Sequence, residues 1–593
     1  MARLAEREIA TYPLRDYAFC ADGERGMVVG PDGTIVWLCA PRWDSDAVFS
    51  RLLAGDGGFS ISPTATPRVS GGYYEPGTLI WHTTWTTGAG DVECVDALAY
   101  PGEDGRAIIL RRIQALDEDA VVDVCLAPRA GFGAADVTPA HLDDGAWTWS
   151  TGDIDVRVIG LEGAQFTTDG ALVGTVAVPA GGSHDVVVEL AARGGSGVRE
   201  AAADRPNPTG DLDPDALWSR TRQAWSEVVP EVRGTAADAN VTKFYALAHG
   251  LTSKHGGMVA AATTGLPERL HGPRNYDYRY AWIRDQCFTG HTDAAYGGHL
   301  LLDGAVSFIA ARLLADGENL KPAYTVVGEP VSEERPLPVP GYPGSTPIAG
   351  NHANEQFQLD GFGEVLALFA QAARVGRLDD DGWEAARIAA GAIGARWDEP
   401  DAGIWELDDR WWTHSRLACI GGLRSIADYA PDDDARQWRD LAYSIEARVQ
   451  GTCVTAQGAW KRAQDDDAPD AALIIPALRG GFDPQSTTNS RTVDAVLRDL
   501  ARDGHLYRFA HGAEELGSTE GAFLVCEASM ALALLRLGRR EEAWRWFERV
   551  RGRVGAAGLF SEEWNPLKHE MRGNLPQAFV HAIVAQVAIE LGR

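Results

Sequence analysis

A chain of 593 residues is too long for one ordinary hydrophobic core, so two domains are expected. Apolar content of 45% and charged content of 23% are those of a globular protein in water, and a formal net charge of −30 repels nucleic acid and anionic membranes alike. Those two partner classes are excluded, whereas a neutral small molecule is not.

No apolar run approaches the roughly 18 to 20 residues of a membrane span. The stretch from Met1 to Tyr12 mixes charges of both signs and lacks the apolar centre of a secretory signal. Eight cysteines are scattered without C-x-x-C or zinc-type spacing, and most sit in apolar settings such as V-W-L-C-A, which reads as buried free thiols. A reduced, cytoplasmic protein is expected.

Up to about Val229 the chain alternates in short strand-like segments broken by turn residues. Gly26 to Cys39 reads as a hairpin of two apolar strands around Pro31-Asp32-Gly33. Similar segments follow at 78–87, 107–115, 120–127, 155–159 and 184–191. Many short strands with Gly/Pro turns predict a β-sandwich. It is expected to fill residues 1–230, with a linker helix at its end.

From about Asn240 the rhythm is helical. About a dozen helices are predicted near 241–256, 282–299, 303–315, 353–376, 380–397, 411–429, 434–450, 470–479, 490–502, 518–537, 539–551 and 575–591. Connectors after every second helix are mostly long. Antiparallel helix pairs with long loops on alternate connections put those loops at one end, the arrangement of an (α/α)6 barrel over residues 231–593. Loops on a rigid scaffold carry sites, so that end is expected to hold a pocket.

The first long connector holds the run E-R-L-H-G-P-R-N-Y-D-Y-R-Y-A-W-I-R-D, Glu268 to Asp285, with four arginines, three acids and four aromatic rings. Each charge needs a partner once water is removed. A polar small-molecule pocket needs such arms held between flat rings, and a hydroxyl-rich, sugar-sized ligand fits it. The competing reading is a buried ion-pair network joining two elements. On the same end, Glu406 stands beside Trp405, and Glu562 and Glu563 lie in G-L-F-S-E-E-W. A carboxyl beside tryptophan is partly desolvated and suits a general acid, and an opposed carboxylate can activate water. Paired carboxylates flanking a sugar bond are the parts of glycoside hydrolysis, 6.5–9.5 Å apart in inverting enzymes.

Other candidates are weaker. His352 and Glu355 read as a polar pair at a helix start rather than metal ligands, and Asp465-Asp466-Asp467 as a solvated turn rather than a calcium loop. No nucleotide-binding glycine pattern and no G-x-S-x-G motif occurs. No metal and no cofactor is expected.

Five ordered blocks then carry a resemblance. R-D-Y-A-F with G-P-D-G-T-I-V-W-L-C-A-P-R-W-D-S, P-R-N-Y-D-Y-R-Y-A-W-I-R-D, G-Y-P-G-S-T-P-I-A-G-N-H-A-N-E-Q-F-Q-L-D-G-F-G-E, G-I-W-E and G-N-L-P-Q-A-F-V-H resemble glycoside hydrolase family 15, the glucoamylase, glucodextranase and trehalase family. The resemblance implies the same sandwich-plus-barrel fold and an inverting, exo-acting α-glucoside hydrolase. It makes Glu406 the general acid and Glu562 the general base, with Glu563 as the alternative base or a substrate contact. Arg284 and Asp285 would hold hydroxyls of the terminal sugar, while Trp282, Tyr278 and Trp405 would wall the pocket. Gln358 and Asp360 are as readily structural as ligand-contacting. Arg274, Asp277 and Arg279 would brace the loop.

Tyr276 departs from the family's usual Trp, and Arg416 takes the place of a Lys on a loop expected to line the leaving-group side. The substrate therefore stays open among small α-glucans and α-linked disaccharides, with trehalose as the main alternative. An inverting phosphorylase and a non-catalytic sugar binder are further alternatives. Oligomeric state, including a homo-oligomer, is left open.

Overall fold

The computed structural model describes residues 11–193, 212–269, 275–511, 516–517 and 520–593. Arg274, the start of the helix expected at 518–537 and most of the stretch to Tyr12 lie outside the described residues.

The expected hairpin is present: Gly26–Val29 pairs antiparallel with Ile35–Cys39. Its turn needs Gly33, at φ +80°, where a Cβ would stand 2.5 Å from the Trp85 ring. The two strands belong to the first of two eight-stranded sheets. Its main order is Ala18–Ala21, Gly26–Val29, Ile35–Cys39, Gly58–Pro63, Ala120–Ala127, Leu172–Val178, Gln165–Phe166, with Ala47–Phe49 on Ile35–Cys39. The second runs His141–Asp143, Ala146–Thr151, Ile154–Ile159, Ser183–Ala192, Arg106–Ala115, Asp91–Leu98, Trp81–Thr87, Pro67–Tyr74. Fully buried Arg111 ties the two together. It pairs with Asp96 of its own sheet at 2.7 Å and donates to the carbonyls of Phe59 and Gly33 on the other.

Helix α1 (Pro214–Val228) closes this β half. Asp213 caps its start, where Pro214 sacrifices no hydrogen bond. Its buried face sets Trp225 on Tyr100, ring centroids 4.0 Å apart, and Arg222 grips Glu75 with two nitrogens.

Twelve α-helices follow among the described residues: α2 (Asp238–Leu251), α3 (Ile283–Tyr296), α4 (Leu300–Asp316), α5 (Leu359–Arg374), α6 (Asp380–Arg396), α7 (Thr413–Ala427), α8 (Asp432–Thr452), α9 (Pro476–Arg479), α10 (Thr487–Leu500), α11 (Leu524–Arg536), α12 (Arg540–Arg551) and α13 (Ala578–Leu591). The segment expected to be helical at 470–479 is a 3-10 turn followed by the single helical turn α9. Sequence decides which helices lie inside. α13 (A-F-V-H-A-I-V-A-Q-V-A-I-E-L) is buried on nearly every side, whereas α12 buries only Ala543, Trp546, Phe547 and Val550, one stripe at i, i+3, i+4, i+7. Helices α3, α5, α7, α9, α11 and α13 touch in that order, and α13 touches α3 again, closing a cycle. No helix among the described residues is long and apolar enough to cross a membrane.

The β half and the helical half share specific contacts. Trp37 donates through its indole to the Ala262 carbonyl at 2.9 Å, and buried Glu24 accepts from the Ser253 hydroxyl and the Lys254 amide.

Within the β half, His82 lies between Glu75 and Glu93 at 3.2 and 2.9 Å. Burial alone would lower its pKa, but the two carboxylates raise it to about 9; burial would likewise raise Glu75, yet His82 and Arg222 pull it down to about 2. The histidine's contribution is complete below its ordinary 6.5 and lost as pH rises through 9; that of Glu75 is present above 4.5 and lost as pH falls towards 2. Thermal melting across pH should therefore show the gap between wild type and His82→Gln widest near pH 4.5–6.5 and closing by pH 10. A gap unchanged between pH 5 and 10 would contradict this coupling.

Candidate active site

One cavity gathers residues from all six connectors that enter the inner helices. The connector before α3 supplies Ala260, Tyr276, Tyr278 and Trp282, and α3 itself supplies Arg284, Asp285 and Phe288. The later connectors add His352; Ile404, Trp405 and Glu406; Ile475; Arg508; and Glu562 with Gln577. The long loops thus lie at one end, as their alternation predicts.

Local backbone explains why the charged run splits in two. The carbonyls of Tyr276, Tyr278 and Tyr280 accept from the amides of Gly265, Ala261 and Ala260, so this segment is extended and successive side chains point to opposite faces. Tyr276, Tyr278 and Trp282 line the cavity. Asp277 and Arg279 point away and form a fully buried ion pair at 2.7 Å. Arg279 also donates to the carbonyls of Trp43 and Ser45 in the β half, and Asp277 accepts from the Gly350 amide at 3.0 Å. Burial opposes the charge on Arg279, but Asp277 outweighs it and raises the pKa. The run therefore splits into residues that line the cavity and residues that form a buried ion-pair network.

Glu406 sits at φ +55°, a left-handed conformation that costs a residue with a side chain roughly 1–3 kcal/mol. The turn that holds it, Gly403 to Glu406, is fixed from behind by Asp401. That carboxylate accepts from the Leu359 and Gly403 amides and the Ser415 hydroxyl, and pairs with buried Arg416. Arg416, expected beside the leaving group, is instead fully buried and braces the Glu406 turn. The physical cause is that the carboxylate of Asp401 needs a cation once buried. Glu406 Oε1 accepts from the Trp282 indole at 3.1 Å and faces Arg284 at 3.5 Å. Arg284 also donates to the Ile404 carbonyl at 3.0 Å.

Asp285 is buried at the start of α3. Burial raises its pKa to about 6 despite Arg284 beside it, and Glu406 adds to the rise. Trp405 donates to Asp470 at 2.8 Å and forms an edge contact with Phe523. Glu562, 8% exposed, accepts from the Tyr278 hydroxyl at 3.0 Å. Its pKa is held well above the carboxylate range by burial and by the charge of Glu268, to which it is hydrogen-bonded; Glu563 adds to this and Arg508 opposes it. Tyr278 and Trp282 meet edge to face at 5.5 Å, so Glu562, Tyr278, Trp282 and Glu406 form one continuous wall.

Glu563 does not line the cavity. Its neighbour Glu562 does, and Glu563 is fully buried, accepting from the Gly521 amide at 2.8 Å. Gln358 and buried Asp360 lie outside the cavity lining; burial and the charge of Asp401 raise the Asp360 pKa to about 7 despite Arg284. His352 opens a 3-10 turn, pairs with Glu334 and reaches the cavity. The acids 465–467 form a turn paired with Arg410 and Lys461. Sequence reasoning assigned no role to Arg508, Gln577 or Glu268. Arg508 pairs with Glu520 and stacks on Phe523, and its setting in L-Y-R-F on a long connector is a signal that could have marked it.

A family model described as glycosyl hydrolases family 15 matches residues 245–588, and one described as trehalase-like, N-terminal, matches residues 9–207. The trehalase of Mycolicibacterium smegmatis is 30% identical over 631 residues, covering 98% of this chain and 91% of that protein. The trehalase of Mycobacterium tuberculosis is 29% identical over 633 residues, covering 98% and 90%. An isomaltose glucohydrolase of Kribbella flavida is 28% identical over 304 residues, covering 48% and 74%. In backbone the chain is similar to a bacterial glucoamylase complexed with acarbose, at TM-score 0.70 and 12% identity over 98% of this chain and 94% of that one. That likeness is one of fold: a β-sheet domain followed by a helical domain. Together these findings define a glycosidase. The chain belongs to glycoside hydrolase family 15.

Removing one partner of the Asp277–Arg279 pair should leave an uncompensated buried charge. Arg279→Met is expected to lower stability in urea unfolding by about 3–5 kcal/mol, with part recovered in Asp277→Asn/Arg279→Met. A loss below about 1 kcal/mol would contradict the bracing account.

Proposed function

We propose that this chain is an inverting α-glucoside hydrolase whose substrate is α,α-trehalose. Residues 1–230 are read as a β-sandwich domain ending in helix α1, and residues 231–593 as an (α/α)6-barrel catalytic domain. The closed cycle of alternate helices supports the barrel reading. The observation that carries the functional reading is the convergence of Glu406 and Glu562, from two different connectors, on one cavity that also holds Arg284 and Asp285.

Glu406 is the general acid. Its Oε1 receives the Trp282 indole and faces Arg284, which leaves Oε2 as the atom that gives a proton to the bridging oxygen as that bond breaks. Glu562 is the general base that takes a proton from the attacking water. Arg284 and Asp285 hold hydroxyls of the bound sugar, and Tyr278, Trp282 and Trp405 supply the flat walls. Trehalose, rather than a longer α-glucan, is supported by full-length relatives that are named trehalases and by the trehalase-like match across the β half.

Hydrolysis rates on trehalose, maltose, isomaltose and dextran should favour trehalose by more than about tenfold in kcat/KM; a preference for maltose or isomaltose would return the broader α-glucosidase reading. Glu406→Gln and Glu562→Gln should each lower kcat about 10²–10⁴-fold, and wild-type turnover in either would remove that residue from its role.

A further inference from the structure

Glu562 is one of two carboxyls around a single phenol. The Tyr278 oxygen lies 2.9 Å from Glu268 Oε1 and 3.0 Å from Glu562 Oε2. One phenol proton is thus shared between two carboxyl oxygens, and a proton taken up by the pair would complete the second contact. The two carboxyls are also hydrogen-bonded to each other. Both are buried, Glu268 at 3% and Glu562 at 8% exposure. Gly573, at φ +84°, backs the pair: a Cβ there would lie 3.4 Å from Glu268 Cγ and from Glu562 Cβ. Glu268 stays out of the cavity that Glu562 lines and faces a neighbouring recess shared with Arg269, Tyr507 and Arg572.

We infer that Glu268 is a positioning residue for the base: it orients Glu562 through the shared hydrogen bond and takes up the proton that Glu562 removes from water. This rests on the reading of Glu562 as general base. In the step, an O–H bond of water breaks and its oxygen bonds to the anomeric carbon. The glycosidic C–O bond breaks, its electron pair goes to the leaving oxygen, and that oxygen takes the proton of Glu406. In the proton-free form of the pair, the proton from water lands on Glu562 and becomes the one shared with Glu268, from which the recess returns it to solvent. One water is consumed and no other reactant is needed. Among the described residues, the charged and titratable groups that act on Glu562 include Glu268, Tyr278, Glu563 and Arg508; the recess beside Glu268 holds Arg269, Arg502, Asp503, His505, Tyr507, Glu520, His569 and Arg572.

The test is the pH profile of kcat/KM for the full chain. The negative charge of Glu268 keeps Glu562 protonated to higher pH, so Glu268→Gln should move the acidic limb down by about one pH unit or more. It should also lower plateau kcat about tenfold while KM changes less than about twofold, and Glu268→Asp, which keeps the charge, should hold the limb nearer to wild type. An acidic limb within about 0.3 pH unit of wild type in Glu268→Gln would overturn the inference, because a merely structural role lowers activity without moving it. Should Glu268→Gln fail to fold, carbon NMR of labelled glutamate carboxyls in the wild-type protein decides instead. A coupled two-step titration of Glu268 and Glu562 supports the inference, and two independent titrations overturn it. Glu562→Gln with added azide separates the two levels of the account. An inactive variant rescued as the β-glycosyl azide, beside an unmoved limb in Glu268→Gln, refutes only the role of Glu268. Wild-type turnover in Glu562→Gln refutes the base reading and this inference with it.

Discussion

The ion pair of Asp277 and Arg279 is the constraint on which the site depends. Burying two charges is costly, and the cost is met only because each finds further partners: Arg279 the carbonyls of Trp43 and Ser45, Asp277 the amide of Gly350. These partners belong to the β half and to the connector that leads into α5. The pair therefore fixes the extended segment from Tyr276 to Trp282 at the meeting of the two halves. Alternation along that segment then turns Tyr276, Tyr278 and Trp282 to the side opposite the pair, where they line the cavity, while Tyr280 reaches the Ser332 hydroxyl instead. Their hydroxyl and indole groups reach the two carboxylates, so the acid and base of the proposed mechanism are positioned by residues that the buried pair holds.

A second brace serves the other side. Asp401 accepts from two amides and a hydroxyl and pairs with Arg416, and this holds the turn in which Glu406 adopts a conformation unusual for any residue but glycine. Strain of that kind persists only where surrounding contacts over-determine it. The environments of the acids also differ. Glu406 faces an indole and a guanidinium, whereas Glu562 is buried against Glu268 and a phenol.

Much of this was legible in the chain. The turn at Pro31-Asp32-Gly33, the capped helices and the alternation of long and short connectors follow from local rules, and they led to the hairpin, the helix pairs and the loop-bearing end. Strands such as Asp91–Leu98 and Pro67–Tyr74 were not read. The first carries three acids, with Asp96 paired inside the sheets to Arg111, and the second is an exposed edge rich in glycine and polar residues. In both, tertiary context overrides local preference. Among site residues, Glu406, Glu562, Arg284, Asp285, Trp282, Tyr278 and Trp405 meet at the cavity, but Glu563 and Arg416 do not. Glu563 opens a strand and meets the Gly521 amide while Glu562, just before it, lines the cavity, and a buried carboxylate claims the nearest arginine; neither fact can be seen without the fold. Arg508 comes from a connector distant in sequence and joins the site only when the loops converge, whereas Glu268 opens the charged run itself but its place beside Glu562 needs the fold.

The central claim is that Glu562 directs water to the face of the sugar opposite the leaving group. Trehalose makes that claim measurable, since both of its sugars enter with the α configuration. Proton NMR of a fresh digest, recorded before mutarotation, should show α- and β-glucose in equal amounts, the α from the departing sugar and the β from the carbon that water attacks. Release of α-glucose alone would contradict the account.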